Sequence, residues 1–391
     1  MIKKIISVLL AVLFMLSGVA VNARGEENSV LSITSNEACL METHSGKILF
    51  EKNSTEKVSP ASITKIMTLL LIYESLESGK ITKDEMVTTS AYAKSMGGSQ
   101  VFLEEGEKQT VETMIKCIVI ASGNDASVAM AEHIAGSEQA FVALMNEKAS
   151  ELGMDNTHFE DCSGLTDSDN HYSCAKDVAI MSRELVKKYP DILNYSSIWM
   201  ETIIHSTDKG EKEFVLSNTN KLLKTNECVK GLKTGSTSKA KYCVSVVGIK
   251  DGVEMISVIM GAPDYKVRFK EANEMLNYGF SNCKSYVESA DKNVTSIAIK
   301  NGTKEKIKAG MEREFVYVST DNEDLSAIKK EEIKEKNLTA PIKKGDIVGK
   351  VQYKLNGKDI GSVNLTALES AKKAKFTDIY GKLIKSFLGI M

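Results

Sequence analysis

The spacing of apolar positions changes several times along this chain, and each change predicts an element. Two short runs, 38–42 and 48–51, flank His44-Ser45-Gly46-Lys47, the pattern of antiparallel strands around a glycine-containing turn. From 61 to 76 the spacing becomes helical, with Ile63, Ile66, Met67, Leu70 and Leu71 recurring and Pro60 suited to a first turn, so Ser62 falls at the N-terminus of a buried helix. A helix-rich stretch is expected from there to about residue 190, with 111–121 and 126–135 as its clearest apolar helices. Polar loops then run through 208–213. Beyond them two valine- and isoleucine-rich strands, 242–249 and 253–260, meet at Lys250-Asp251-Gly252, a strong hairpin signal that puts the middle of the sheet in the late chain.

After Cys283 the pattern shifts to short β-like runs (294–299, 314–318, 346–353) broken by Asn301-Gly302, Lys344-Gly345 and Asn356-Gly357, as in a separate small all-β module. Its charge run at 329–336 fits a solvated surface. At the C-terminus Phe376, Ile379, Tyr380, Leu383, Ile384, Phe387 and Leu388 share a face, with Lys375, Lys382 and Lys385 off it, which predicts an amphipathic helix lying in a membrane interface. At the other end Lys3 and Lys4 precede the apolar run 5–16, and Val21-Asn22-Ala23 supplies a cleavage point. The run is shorter than the roughly 20 residues a bilayer core requires, so it is an export signal rather than a span. The expected domains are 1–23 as signal peptide, 24–283 as catalytic domain, 284–370 as β-rich domain and 371–391 as anchor helix. The fold class is α/β (α+β), an antiparallel sheet flanked by helices.

Composition narrows the function less. With 50 basic and 52 acidic residues among 391, the net charge of −2 implies no nucleic-acid partner. Seven cysteines leave at least one thiol unpaired in an exported chain; Cys162 with Cys174 or Cys228 with Cys243 could bridge, and equally all could be buried small hydrophobes.

Three separated segments carry the chemistry: Ser62-Ile63-Thr64-Lys65, Ser122-Gly123-Asn124 and Lys233-Thr234-Gly235. Ser-x-x-Lys alone recurs at Ser54, Ser236, Ser281, Ser326 and Ser370, so context must choose. Ser62 and Lys65 lie one turn apart on a helix apolar enough to bury the amine, and burial next to a second cation, Lys233, lowers a lysine's pKa toward that of a general base. Ser168-Asp169-Asn170 competes with the second motif but sits in a polar turn, whereas Ser122 follows the apolar 118–121 and opens a helix. There its hydroxyl can pass the proton to the leaving amine while Asn124 bonds Lys65 and a substrate amide. Lys233, Thr234 and Gly235 suit a strand edge where an extended peptide pairs. Its carboxylate would go to Lys233, Thr234 and Thr237, with the N–H groups of Ser62 and Ser236 as the oxyanion hole.

The second hydroxyl follows the nucleophile by roughly sixty residues and the cationic strand by roughly a hundred and ten more. In this order, and with Pro60-Ala61-Ser62-Ile63-Thr64-Lys65-Ile66-Met67-Thr68, Ala121-Ser122-Gly123-Asn124-Asp125-Ala126, Asn156-Thr157-His158-Phe159, His171-Tyr172-Ser173, Asn218-Thr219-Asn220 and Gly231-Leu232-Lys233-Thr234-Gly235, the chain resembles the low-molecular-mass penicillin-binding proteins that act as serine-type D-alanyl-D-alanine carboxypeptidases. Met96-Gly97-Gly98-Ser99-Gln100 and Leu103-Glu104-Glu105-Gly106-Glu107 are similar to the branch found in Gram-positive spore formers. Lys239-Ala240-Lys241-Tyr242 departs from the family, many of whose members carry an acidic residue and a glycine here.

The resemblance implies a β-lactamase/transpeptidase-like fold and hydrolysis of the terminal D-Ala-D-Ala bond of peptidoglycan stem peptides through a Ser62 acyl-enzyme that penicillins also form. It implies no cofactor and a place on the outer face of the cytoplasmic membrane, held peripherally by the C-terminal helix. A β-lactamase would lack the C-terminal module and anchor, and a non-catalytic wall-peptide binder has no need of intact Ser62, Lys65 and Ser122. His158, Cys162, His171 and Cys174 fall in one short segment, but their spacing matches no zinc pattern, so no metal is expected.

Overall fold

The β-branched run from 241 to 262 folds back on itself at a two-residue turn, Asp251 and Gly252, whose positive φ values of 50° and 75° match the twist of the flanking strands. It forms the centre of the sheet in the computed structural model, which describes residues 31–380 apart from 209, 293, 322 and 379. Contacts separate residues 1–33 from 34–391, and all the strands and helices named below belong to the second unit. The sheet has five antiparallel strands in the order Ile48–Lys52, Glu37–Glu42, Val253–Ala262, Lys241–Lys250, Val229–Thr237. The strand carrying Lys233 therefore lies at an edge.

Alternation along the strands decides what each face buries. Ser245 and Val246 point to opposite faces, and Ser257, opposite Val246, shares the latter's side. Ser245 Oγ lies 2.8 Å from Ser182 Oγ on the helix Ala175–Lys188, whereas Ser257 Oγ donates to the Ala272 carbonyl at 3.0 Å on the helix Tyr265–Asn282. Two helices thus cover the sheet from opposite sides. Lys233 pairs with Ser245 and Gly235 with Cys243, so both face the side of Ala175–Lys188. There the core continues into the helices Lys65–Glu77, Val111–Val119, Asn124–Ala135 and Glu138–Glu151. Thr110 and Ser137 cap two of these by accepting N–H groups three residues on, and Gly136, at φ 82°, ends a third.

Residues beyond Cys283 build a second hydrophobic core around Phe315, Val351, Tyr353 and Leu365. It is enclosed by a five-stranded antiparallel sheet and the pair Lys284–Glu288 with Phe315–Ser319, so the expected small β module is present. Its hairpin at Asn356-Gly357 repeats the two-residue turn, at φ 51° and 81°.

Three expectations change. Residues 61–64 form a 3-10 turn and the α-helix begins only at Lys65. The polar stretch around 208–213 is not simply loop: Met200–Thr207 and Gly210–Ser217 pair along eight residues, with Ile203, His205 and Leu216 buried. Glu211, Lys212 and Glu213 are consecutive and all exposed, so they fall on both faces of their strand and hide the alternation. The charge run at 329–336 is exposed as expected, yet it forms the edge strand Ile328–Lys334. All seven cysteines are free thiols, six of them buried, so neither candidate disulfide forms and they pack as small apolar residues. The signal segment 1–23 lies outside the described residues, as does most of the anchor 371–391.

Candidate active site

Pro60 leads the chain into a tight turn in which Ala61 has φ 47°, and Ser62 is the second residue of that turn. An N–H so early in a helical turn precedes any intrahelical acceptor, so that of Ser62 is free to face a ligand. Ser62 is half-buried and Lys65, three residues on, is completely buried. Their Nζ and Oγ atoms stand 3.0 Å apart. Lys65 Nζ also donates to Asn124 Oδ1 at 2.6 Å and to the Ser163 carbonyl at 2.7 Å.

These partners are not equivalent. An amide oxygen and a backbone carbonyl only accept, whereas the Ser62 hydroxyl can also donate. A neutral Lys65 amine fills the site by giving its two hydrogens to Asn124 and Ser163 and turning its lone pair to the Ser62 proton. Burial is the main cause that pulls the Lys65 pKa down from 10.5 to about 8, against attraction from Asp161 and Asp125. That displacement is worth about 3 kcal/mol against the charged form.

Ser122 lies between the helices Val111–Val119 and Asn124–Ala135 at φ 63°, a left-handed conformation that a serine adopts only when its surroundings enforce it. The enforcement is local: Gly123 N–H donates to the Cys117 carbonyl at 3.0 Å and Asn124 N–H to the Ser99 carbonyl at 2.7 Å. The result points the buried Ser122 hydroxyl at Lys233, whose Nζ donates to it at 2.9 Å and to the Thr234 carbonyl at 2.9 Å. Lys233 is also fully buried, and burial, then the charges of Lys65 and Arg268, push its pKa well down. Ser62, Lys65, Ser122, Asn124 and Lys233 therefore meet in one polar cluster, although the segments that carry them are far apart in sequence.

Gly235 has a more specific reason than the approach of a ligand. A Cβ there would lie 2.9 Å from the Pro60 carbonyl and 3.0 Å from the Ser62 and Ile63 nitrogens, so its absence is what lets the edge strand abut the Ser62 turn. Thr234 Oγ1 donates to Thr219 Oγ1 at 2.7 Å. Ser236 is exposed, one residue beyond the point of contact. Thr237 Oγ1 accepts the Ala240 N–H at 3.0 Å, so its first task is to close the turn into the next strand.

Several contributors were not visible beforehand. The Ser163 carbonyl sits in a loop organised by Asp161, whose carboxylate accepts the N–H groups of Ser163 at 2.9 Å, of Gly164, and of Thr166 at 2.7 Å. Asn124 Nδ2 donates to the Gly97 carbonyl at 2.7 Å, fixing which way its amide points. Arg268 reaches from the opposite face to donate to the Gly235 and Cys243 carbonyls at 3.0 and 3.1 Å. Only the charged side chains among these surroundings, Asp161, Asp125 and Arg268, could have been flagged, and only after the motifs had placed the site. The competing Ser168-Asp169-Asn170 forms a turn, with Ser168 Oγ accepting the Asn170 N–H at 3.1 Å.

Members of the His/Cys segment have other work, His158 Nδ1–H donating to the Asn170 carbonyl at 2.7 Å. His171 Nδ1 accepts the Glu160 N–H at 3.0 Å, so its Nε2–H donates to Thr64 Oγ1 at 2.8 Å. Cys174 caps the helix Ala175–Lys188. No group of three or more His, Cys, Asp or Glu residues able to hold a metal occurs among the described residues.

Comparison with known proteins agrees with this arrangement. The D-alanyl-D-alanine carboxypeptidase family model matches residues 23–264, and the model for the penicillin-binding protein 5 C-terminal domain matches 284–373. The D-alanyl-D-alanine carboxypeptidase DacF of Bacillus subtilis is 42% identical over 353 residues, 90% of each chain. DacA of Haemophilus influenzae is 35% identical over 363 residues, 90% of this chain and 88% of that protein. The crystal structure of penicillin binding protein 5 from Haemophilus influenzae superposes with a TM-score of 0.63 at 33% identity, covering 88% of this chain and 98% of that one. An antiparallel sheet between helices, a following β domain and these matches lead to one assignment: the chain belongs to the D-alanyl-D-alanine carboxypeptidase family of serine peptidases.

Proposed function

We propose that the chain removes the terminal D-alanine from peptidoglycan stem peptides ending in D-Ala-D-Ala, with Ser62 as nucleophile. The reading is carried by the contact between Lys65 Nζ and Ser62 Oγ at 3.0 Å, in a site where Asn124 and Ser163 leave the amine's lone pair to that hydroxyl. Lys65 takes the Ser62 proton as Oγ attacks the scissile carbonyl, and the Ser62 and Ser236 N–H groups receive the oxyanion. The Ser122 hydroxyl, polarised by Lys233, hands a proton to the departing amine. D-alanine leaves, and water attacks the Ser62 ester to release the shortened peptide and restore the hydroxyl. Lys233 and Thr234 hold the substrate's carboxylate end, and its strand runs along Gly235 and past Thr237, with Arg268 adding positive potential behind Gly235. Penicillins acylate the same oxygen and persist, because the opened ring keeps its leaving group attached. The chemistry uses no metal or cofactor.

Labelling purified protein with a fluorescent penicillin, followed by peptide mapping, should place the adduct on Ser62. Ser62→Ala should neither take the label nor release D-alanine from a D-Ala-D-Ala peptide. Release by Ser62→Ala, or an adduct elsewhere, would refute the assignment.

We also propose that the chain is exported by residues 1–23 and held on the outer face of the cytoplasmic membrane by the amphipathic segment 376–391. No helix of the described residues is long and apolar enough to cross a membrane. The amphipathic, lysine-bearing pattern supports a peripheral attachment. Truncation after Ser370 should abolish co-flotation with anionic vesicles, and continued flotation would remove the anchor from this scheme.

A further inference from the structure

The turn that follows the cationic strand carries two lysines with different fates. Lys239 is engaged, donating to Asp169 Oδ1 at 2.6 Å and to the Asp167 carbonyl at 2.9 Å. Lys241 is exposed, and its side chain makes no hydrogen bond or ion pair among the described residues, the carboxylate of Glu37 being a charge that it acts on at longer range. Its backbone has φ 54°, a conformation open to glycine and reached by a lysine only against a steric penalty. An exposed cation held on a left-handed backbone is an outlier that points toward function.

Register supplies one. Lys241 pairs with Thr237 and therefore belongs to the sheet face of Gly235 and Lys233, the face that meets the Ser62 turn. Beside it lies a cavity of about 300 Å3 lined by Ser236, Thr237, Ser238, Lys241 and Tyr242. With the leaving D-alanine toward Lys233 and Thr234 and the scissile carbonyl at Ser236 N–H, the acyl half of the substrate must run past Thr237 toward this turn. One residue of extended chain advances about 3.3 Å, and the next strand is about 4.8 Å away. A lysine side chain covers that distance.

We propose that Lys241 and this cavity form an anion subsite that selects stem peptides with a free carboxylate on the residue preceding D-Ala-D-Ala. The inference rests on the substrate direction given under Proposed function. Residues 236–238 line the subsite, and Lys239, tied to Asp169, holds the turn against the neighbouring loop.

The test compares two synthetic pentapeptides that end in D-Ala-D-Ala and differ only at the third residue, diaminopimelate with its side-chain carboxylate free or amidated. Release of D-alanine by the full chain gives kcat/KM for each. The wild type should favour the free acid by about fivefold, the effect of one partly exposed charge contact, and salt should erode the preference. Lys241→Gly, which relieves the left-handed strain and so should melt no lower than wild type, should bring the ratio to about one, and Lys241→Arg should keep it. A preference that survives in Lys241→Gly, or is absent from the wild type, overturns the subsite while leaving the carboxypeptidase reading intact. Failure of the wild type to release D-alanine from either peptide overturns both.

Discussion

Replacement of Lys65 by methionine should reduce acylation by penicillin, and D-alanine release, by about a thousandfold or more while leaving the protein folded. The two halves of this expectation have separate physical origins. Catalysis is lost because no other amine is within reach of the Ser62 proton: the nearest other lysine in the cluster, Lys233, is hydrogen-bonded to Ser122 and Thr234. Folding survives because opposing terms offset each other. Methionine matches the length of the lysine stem and removes a group whose charged form the interior disfavours by about 3 kcal/mol, while it leaves the Asn124 amide oxygen and Ser163 carbonyl without a donor, at about 1–3 kcal/mol each. The melting temperature should therefore move by only several degrees. Stopped-flow labelling and thermal unfolding report the two halves independently, and a Lys65→Met protein that acylates within tenfold of wild type would exclude this amine as the base.

The wild-type pH profile checks the same claim. In its proposed role as base Lys65 must be neutral, and burial lowers its pKa to about 8. Acylation should rise with pH, reach half its maximum near 8 and level off above. At pH 7 about a tenth of the molecules would hold the neutral amine. The sign is fixed: a rate that falls as pH rises toward 8 would mean that the ammonium form is the reactive one.

Which parts of this molecule could be read from its residues depends on what each part is made of. The roles proposed for Ser62, Lys65, Ser122, Asn124 and Lys233 use side chains whose chemistry is rare in combination, so order and spacing singled them out over the other Ser-x-x-Lys pairs and a more literal Ser-Asp-Asn. The Ser163 and Gly97 carbonyls that orient Lys65 and Asn124 are backbone groups, and every residue has one. Their position depends on the loop held by Asp161, which only long-range packing creates. The central hairpin announced itself because both faces are buried and Asp-Gly supplies its turn, whereas in the hairpin Met200–Ser217 the consecutive charges of Glu211, Lys212 and Glu213 fall on both faces and break the period of two. The nucleophile helix was placed correctly but entered differently. A 3-10 turn with Ala61 at positive φ precedes it, and no propensity in Pro60-Ala61-Ser62 encodes that strain. It is imposed from outside, by the strand at Gly235 on one side and the loop at Gly164 on the other.

Gly164 is the tighter of those two contacts, and Gly164→Ala should be among the most damaging small substitutions in the chain. A Cβ at this position would lie 1.8 Å from the Ala61 carbonyl oxygen, 2.3 Å from its carbon and 2.8 Å from Thr64 Oγ1, and the residue has φ 76°. Nothing there is a flexible side-chain end that can swing aside, because the obstruction is the backbone of the nucleophile turn. The loop would have to retreat, taking with it the Ser163 carbonyl that Lys65 uses. Overpacking and left-handed strain together should cost about 3 kcal/mol or more, and displacement of the Ser62–Lys65 pair by as little as about 1 Å should slow acylation about a hundredfold. Gly153→Ala provides the control, since φ is similar at 69° and a Cβ there meets nothing within 4 Å. That variant should lose only about 1–2 kcal/mol from backbone strain and should label with penicillin at the wild-type rate. If the two variants proved indistinguishable in acylation, the positioning of the nucleophile turn by this loop would have to be abandoned.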